Sequence, residues 1–466
     1  MASLWLLGSQ PAAARQAGHK TDKAKNFAPT IEDNANYYAK NRHNIPEADL
    51  KRADQLRLKT ITSIEDLLKT QKGASRRFEL LLRLGELHVE RHDFVRDSEM
   101  VQYEKSWDAW SQAKAKGQKS PGPEPKLSLT ASNDEMLKAS EAFRKLVTDY
   151  PKHPRTDAAL YSLARVLTRL GKDSAVEYYQ RLIKGFPKSP LLPDTYLSLG
   201  EYYFDKHDIS TAIENYKKVM QFKDNKAYPY AVYKLGWAYY NAPAKNDQDT
   251  QENYRKAVAA FKLVVKISEQ NEEYGAKSKS NVNLRDEALN DLVLVWADAE
   301  EVDSAWKYFQ TVGSKESFYK MLERLGNIYT EQGRNQQAIV VYQRLLREMP
   351  TRPTNPEVSV KLVELYDLAG NVAGLTAELQ KMKKTYIDES QWREANTGNQ
   401  VALNEARRQC ELTIHRYGAL FHQRAQKTKN TDLFATAAEI YGLYLATFPD
   451  TPAAYDIRYY LAEIHF

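Results

Sequence analysis

The sequence predicts an all-α protein built as a solenoid of antiparallel helix pairs, and three observations lead there. The clearest is residues 318–350, FYKMLERLGNIYTEQGRNQQAIVVYQRLLREMP, where large and small residues follow a set order: Leu325-Gly326, Tyr329, Gly333, Ala338, Tyr342, Pro350. Gly326 and Ala338 are small where two helices must approach, and Tyr329 and Tyr342 fill the groove between them. Gly333 can take the left-handed conformation that ends the first helix, and Pro350 stops the second. The second observation is recurrence. Ala164, Gly200 and Gly236 stand 36 residues apart, and Val293, Gly326 and Val363 stand 33 and 37 apart. The third is length: 466 residues are too many for one ordinary core but suit an array of repeats.

Taken in order, residues 1–45 form a polar, signal-like or irregular segment. Leu4, Trp5, Leu6 and Leu7, followed by Pro11 and Ala12 to Ala14, would suit a secretory signal and its small-residue cleavage site, although a basic n-region is absent. The other reading is a nonpolar start to an irregular tail. Residues 46–75 carry Leu50, Leu56, Ile61, Ile64 and Leu68 at near-helical spacing, which predicts a lead-in helix.

The array is expected over 76–388. Its first unit has Leu84-Gly85 in the Leu325-Gly326 places, with His88 and His92 where Tyr329 and Gly333 stand. An insertion then follows at 97–134, with an aromatic helix (Tyr103, Trp107, Trp110) and a Lys/Pro/Gly segment, AKAKGQKSPGPEPK, that cannot be regular. Ala139, Phe143 and Pro151 resume the pattern. Second-helix markers recur as Ala175 with Tyr179 and Pro187, Ala212 with Tyr216, Ala257 with Phe261, Ala305 with Phe309, and Leu375 with Leu379. A second polar insertion is expected at 241–283. Residues 389–430 read as irregular and then a long helix from about Gln400. The pattern returns at 431–466 through Ala437, Tyr441 and Pro449, and ends in an incomplete repeat with Leu461-Ala462 in the Leu-Gly places. Because each repeat buries its apolar surface on a neighbour, that last helix implies further repeats or a capping partner.

The order of markers in 318–350 resembles the tetratricopeptide repeat, a helix-turn-helix unit with a period of about 34 residues and a W-x2-LG-x2-Y…A-x3-F…P pattern. Leu322 stands where that pattern has Trp. The resemblance implies a right-handed superhelical solenoid whose first helices line a concave groove. The joins DYPKHPRTDAAL, GFPKSPLLPDTYL and TFPDTPAAYDIRYYL further resemble those of periplasmic repeat proteins, such as outer-membrane assembly lipoproteins and the Tol-Pal coordinator. A lipoprotein needs a cysteine directly after its signal, and the single cysteine is Cys410, so lipid anchoring is not expected.

Little points to chemistry. The chain has 67 basic and 61 acidic residues, net charge +6, too even a balance for nucleic acid without a localised patch. No apolar run approaches the ~20 residues that cross a bilayer, so no transmembrane segment is expected. His88 and His92, four apart, could share a zinc ion, but both occupy pattern positions and no third ligand has suitable spacing. Cys410 lacks any nucleophile signature and reads as a small packed hydrophobe. There is no Gly-rich phosphate loop, G-x-S-x-G or CxxC. No catalytic residue, metal or cofactor is expected.

What remains is surface. The family's groove positions fall on Tyr161, Arg165 and Arg169 in one unit, on Glu201, Phe204 and Asp205 in the next, and on Tyr230, Tyr233, Trp237, Tyr240 and Asn241 in a third. Four aromatics on one stripe suit protein or peptide recognition, or else packing between units. The expected function is a non-catalytic interaction scaffold of a bacterial cell-envelope complex, periplasmic or outer-membrane-associated, serving outer-membrane assembly, a Tol-Pal-like system or gliding motility. The alternatives are a cytosolic adaptor or co-chaperone that binds peptides, and a regulatory array attached to a larger enzyme.

Overall fold

A small residue facing an aromatic ring is the joint from which the molecule is built. In the computed structural model, which describes residues 46–115, 122–273, 279–299, 302–312 and 314–465, a Cβ added at Gly85, Gly200, Gly236, Gly326 or Gly418 would lie within 3.1 Å of one ring. The rings are Phe143, Tyr216, Phe261, Tyr342 and Tyr441, each from the helix that follows. All five are essentially buried. Enclosing one such side chain stabilises the fold by about 2–3 kcal/mol, so each joint is a strong local anchor.

The described residues form nineteen α-helices and no strand. The chain divides into two compact units after Gln270. In the first, α1 (Glu47–Thr70) packs on α2 (Ala74–Ala115), and the helix pairs follow: α2 with α3 (Thr130–Asp149), α4 (Thr156–Arg169) with α5 (Ala175–Gly185), and α6 (Leu192–Asp205) with α7 (Ile209–Val219). The fourth pair is α8 (Tyr228–Tyr240) with α9 (Asp247–Glu273), joined through Tyr233 and Trp237 against Phe261 at 5.7 and 5.9 Å.

The second unit holds α10 (Lys279–Ala299) with α11 (Val302–Phe309), α12 (Lys315–Glu331) with α13 (Asn335–Glu348), and α14 (Asn355–Leu368) with α15 (Val372–Tyr386). A short α16 (Gln391–Ala395) precedes α17 (Gln400–Thr428), which pairs with α18 (Thr431–Thr447), and α19 (Pro452–His465) packs on α18.

Turns and joins are as regular as the joints. Gly333, at φ 71°, ends the first helix of its pair, and the non-glycine residues His207 and Lys429 take the same left-handed conformation at φ 63° and 55° in other turns. Asp208 and Asn371 then cap the next helices, accepting from the backbone N–H of Thr211 at 3.2 Å and Gly374 at 2.8 Å. Second helices end alike. Tyr150, Phe186, Met349 and Phe448, each followed by proline, sit at φ near −131° and ψ of 53–63°. A following proline disfavours the helical region, so all four chains leave in the same direction.

Two segments are drawn differently from the sequence reading. The aromatic stretch within 97–134 is no separate helix, because α2 runs unbroken for 42 residues through it. Within 241–283, α9 begins at Asp247 and runs to Glu273, so that part of the polar stretch is helical. Within 389–430, the long helix expected from about Gln400 is α17, and its Gly418 receives Tyr441 as a first helix does. The segment 1–45, with its signal-like start, lies outside the described residues.

Candidate functional site

In the first unit, α2 and α4 flank a cleft of about 310 Å³. Arg83, Glu86 and Glu90 line it from α2, Tyr161, Arg165 and Arg169 from α4, and Phe143 contributes from α3. Arg83 donates to Glu86 at 3.1 Å and to Glu90 at 3.0 Å, and Arg57 also reaches Glu90 at 3.2 Å. Arg169 donates to Asp93 at 2.8 Å. Arg165 differs from both. Its guanidinium lies 5.8 Å from the Tyr161 ring centroid and makes no hydrogen bond or ion pair among the described residues. It is half-buried, so its remaining donors face the cleft without the full hydration of an exposed side chain.

The other expected positions separate. Glu201 on α6 accepts from the Tyr230 hydroxyl of α8 at 3.2 Å, with Lys234 Nζ at 3.9 Å. Burial holds the Glu201 carboxyl above its ordinary range, opposed by Lys234 and Tyr230, and burial likewise holds the Lys234 ammonium below its own, opposed by Glu201. Lys234 is a site residue that the sequence reading passed over. The available signal was its being the one charged residue in the 13-residue helix YPYAVYKLGWAYY. Asp205 is exposed, and Phe204 packs beside the Leu197–Tyr216 core.

Tyr233, Trp237 and Tyr240 require a correction. They are at most 4% exposed and pack on Phe261 and Tyr254, so the stripe read as groove surface is the interior of the α8–α9 pair. The reason is that α9 brings two further aromatics against α8. Asn241 donates to the Trp237 carbonyl at 2.8 Å, tying off the helix end.

The second unit has a cleft of about 340 Å³ that the sequence reading missed. It lies between α14 and α17, with Val360 and Leu412 as apolar lining and Lys361, Arg408 and Arg416 around them. Arg424 grips Asp367 at 2.6 and 3.1 Å and Arg416 reaches Glu364 at 3.1 Å, which holds α14 and α17 together toward the end of α14. Its signal was the break in period at 387–399. There Trp392 stacks edge-on against Tyr386 and donates to the Arg352 carbonyl at 2.6 Å, seating α16 as a spacer.

His88 and His92 serve the packing of α2 on α3. His88 Nδ1–H donates to Glu135 at 2.7 Å, and His92 Nδ1–H donates to the Ser132 carbonyl at 2.9 Å, both buried between α2 and α3. Among the described residues no group of three His, Cys, Asp or Glu is placed to hold a metal, and no helix is long and apolar enough to cross a membrane. Cys410 is fully buried, with its thiol pushed up to about 12 by burial, far from thiolate chemistry at neutral pH.

Stacked two-helix repeats with polar clefts between first helices define a helical-repeat scaffold for protein–protein interaction. Tetratricopeptide repeat family models match residues 158–189 and 322–357, and four of the other pairs set a glycine against a ring as Gly326 does, so the chain carries tetratricopeptide repeats. No curated protein matches it. Similar solved structures include a tetratricopeptide repeat protein from Parabacteroides merdae, at 16% identity over 78% of this chain and 99% of that one, with a TM-score of 0.27. Another is the C-terminal part of a repeat-containing protein from Cytophaga hutchinsonii, at 15% identity over 68% and 98%, with a TM-score of 0.28. A third is a repeat protein from Thermus thermophilus, at 17% identity over 53% and 99%, with a TM-score of 0.21.

Proposed function

We propose that this protein is a non-catalytic scaffold of a bacterial cell-envelope complex, and that the α2–α4 cleft holds an acidic segment of a partner protein. The observation that carries the binding reading is Arg165. A guanidinium left without a carboxylate, backed by the Tyr161 ring and set between Arg83 and Arg169, offers a fork of donors matched to an incoming Asp or Glu. The neighbouring arginines are occupied by Glu86, Glu90 and Asp93, which leaves one strong anchor and a polar rim. The envelope reading rests on the X-Pro-x-x-Pro joins and the signal-like start. α19 presents Tyr455 and Tyr459, 78% and 68% exposed, as a further face for a partner.

Titration of the full chain with an acidic decapeptide of alternating Asp and Gly, at low salt, tests the cleft. Arg165→Ala weakens binding about tenfold (about 1.4 kcal/mol) with unchanged melting, and Arg165→Lys recovers part of it. Equal binding by Arg165→Ala and the parent chain overturns the reading. Location is tested separately by fractionating cells that express the chain from its own start. A cytoplasmic pool without cleavage near Ala14 rules out the envelope.

A further inference from the structure

We propose that the outer half of α2 is a second recognition surface, one that takes a proline-rich, extended peptide carrying a basic residue. Tyr103, Trp107 and Trp110 lie at i, i+4 and i+7, so they form one stripe on the helix, with ring centroids 6.2 and 5.4 Å apart. The stripe lies beyond Glu99, whose carboxylate accepts from the Ala131 N–H at the start of α3. This half of the helix therefore projects past its pair, and Trp107 is 37% exposed.

The chain itself shows what the stripe accepts. Trp110 Nε1–H donates to the Gly122 carbonyl at 3.1 Å, in the Pro-Gly-Pro-Glu-Pro run of 121–125. Residues 124–129 then continue without helix or strand, with Pro125 half-buried. An indole that donates to a carbonyl of a proline-rich segment is the chemistry by which aromatic surfaces hold polyproline II ligands, whose carbonyls have no internal partner. One turn along, the Trp107 indole N–H has no hydrogen bond among the described residues and its ring is open. The lengths agree: seven helical residues rise about 10 Å, close to the roughly 9 Å of one polyproline II turn.

Charge adds the second half of the specification. Glu104 and Asp108 form a row beside the stripe, both exposed and neither in an ion pair among the described residues. An arginine or lysine in the peptide would meet them while its prolines lie on the rings.

The test uses the full chain and two synthetic decapeptides, one of nine prolines with a central arginine and one of the same length built from glycine and serine around arginine, followed by calorimetry and tryptophan fluorescence. The proline peptide binds, the glycine-serine peptide binds at least about tenfold more weakly, and Trp107→Ala abolishes the difference while the melting temperature holds. Trp107→Phe, which keeps a ring but removes the N–H, falls between them, so a folding defect in one variant cannot mimic the result. Glu104→Gln with Asp108→Asn weakens binding roughly threefold at low salt. The inference is overturned by equal binding of the two peptides, by binding indifferent to Trp107, or by Trp107-dependent binding to phosphatidylcholine vesicles without peptide binding. Arg165→Ala leaves this binding unchanged, which separates its failure from that of the α2–α4 cleft.

Discussion

The α12–α13 and α2–α3 pairs share one joint and differ in nearly everything around it. In each, a glycine of the first helix faces an aromatic ring of the second, Gly326 against Tyr342 and Gly85 against Phe143. In α12–α13 the first helix ends at Glu331, Gly333 turns the chain, and the second begins at Asn335. In α2–α3 the equivalent place is His92, which donates to the Ser132 carbonyl, and the helix continues to Ala115. Glu135 then gathers His88 and Arg91 at 2.7 and 2.5 Å across the seam, with Lys138 of its own helix at 3.1 Å. Burial works to raise the Glu135 carboxyl, but these donors hold it below its ordinary range. The lesson is that the glycine–ring contact sets how two helices meet, while the turn between them can lengthen by tens of residues. Loop closure grows only slowly with length, so such an insertion costs little.

The sharpest way to break the comparison is to fill the joint. Gly326→Val and Gly85→Val each force the facing ring to move within a packed interior and should each cost about 3 kcal/mol, read as lowered melting of the full chain. A much smaller loss at Gly85 would show that the long pair is held by its polar seam instead. The turn gives a smaller effect of opposite sign. His207 holds a left-handed conformation that Gly333 adopts without strain, so His207→Gly should stabilise by about 0.5–1 kcal/mol, while Gly333→Ala should destabilise by a similar amount.

The smallest effect distinguishes the pairs by pH. Burial, opposed by the Ser132 carbonyl, holds the His92 imidazole below its ordinary value, so the unfolded chain takes up that proton at a higher pH than the folded one. The stability from neutral His92 is thus full above about pH 6.5 and is lost as pH falls through the folded value. Melting followed from pH 7.5 to 5.5 should fall more steeply for the parent chain than for His92→Gln. Parallel curves would remove His92 from the account.

Much of the architecture was legible because its signals are local. Gly326 with Tyr342 and Gly85 with Phe143 were readable from residue size and spacing, even across the insertion. The Tyr417-Gly418 marker was not, because 387–399 shifts the period and α17 is twice the usual length. A fourth proline join, Met349-Pro350-Thr351-Arg352-Pro353, shares the backbone of the three recognised ones and went unread for want of an aromatic before its proline. The groove was less legible than the fold. Tyr161, Arg165 and Arg169 do line one cleft, whereas Tyr233, Trp237 and Tyr240, chosen by the same rule, are enclosed by α9.

The sequence by itself determined the all-α class, the repeat and the places where helices meet, since backbone conformation and the size match of a glycine and a ring depend on a few nearby residues. Only the tertiary structure decided which side chains face solvent, which arginine of the α2–α4 cleft lacks a carboxylate, that Lys234 lies buried beside Glu201, and that Trp107 of α2 stays exposed while Tyr233, Trp237 and Tyr240 of α8 are enclosed. Burial and charge pairing are sums over every neighbouring element. A residue's own spacing along the chain contains none of those terms.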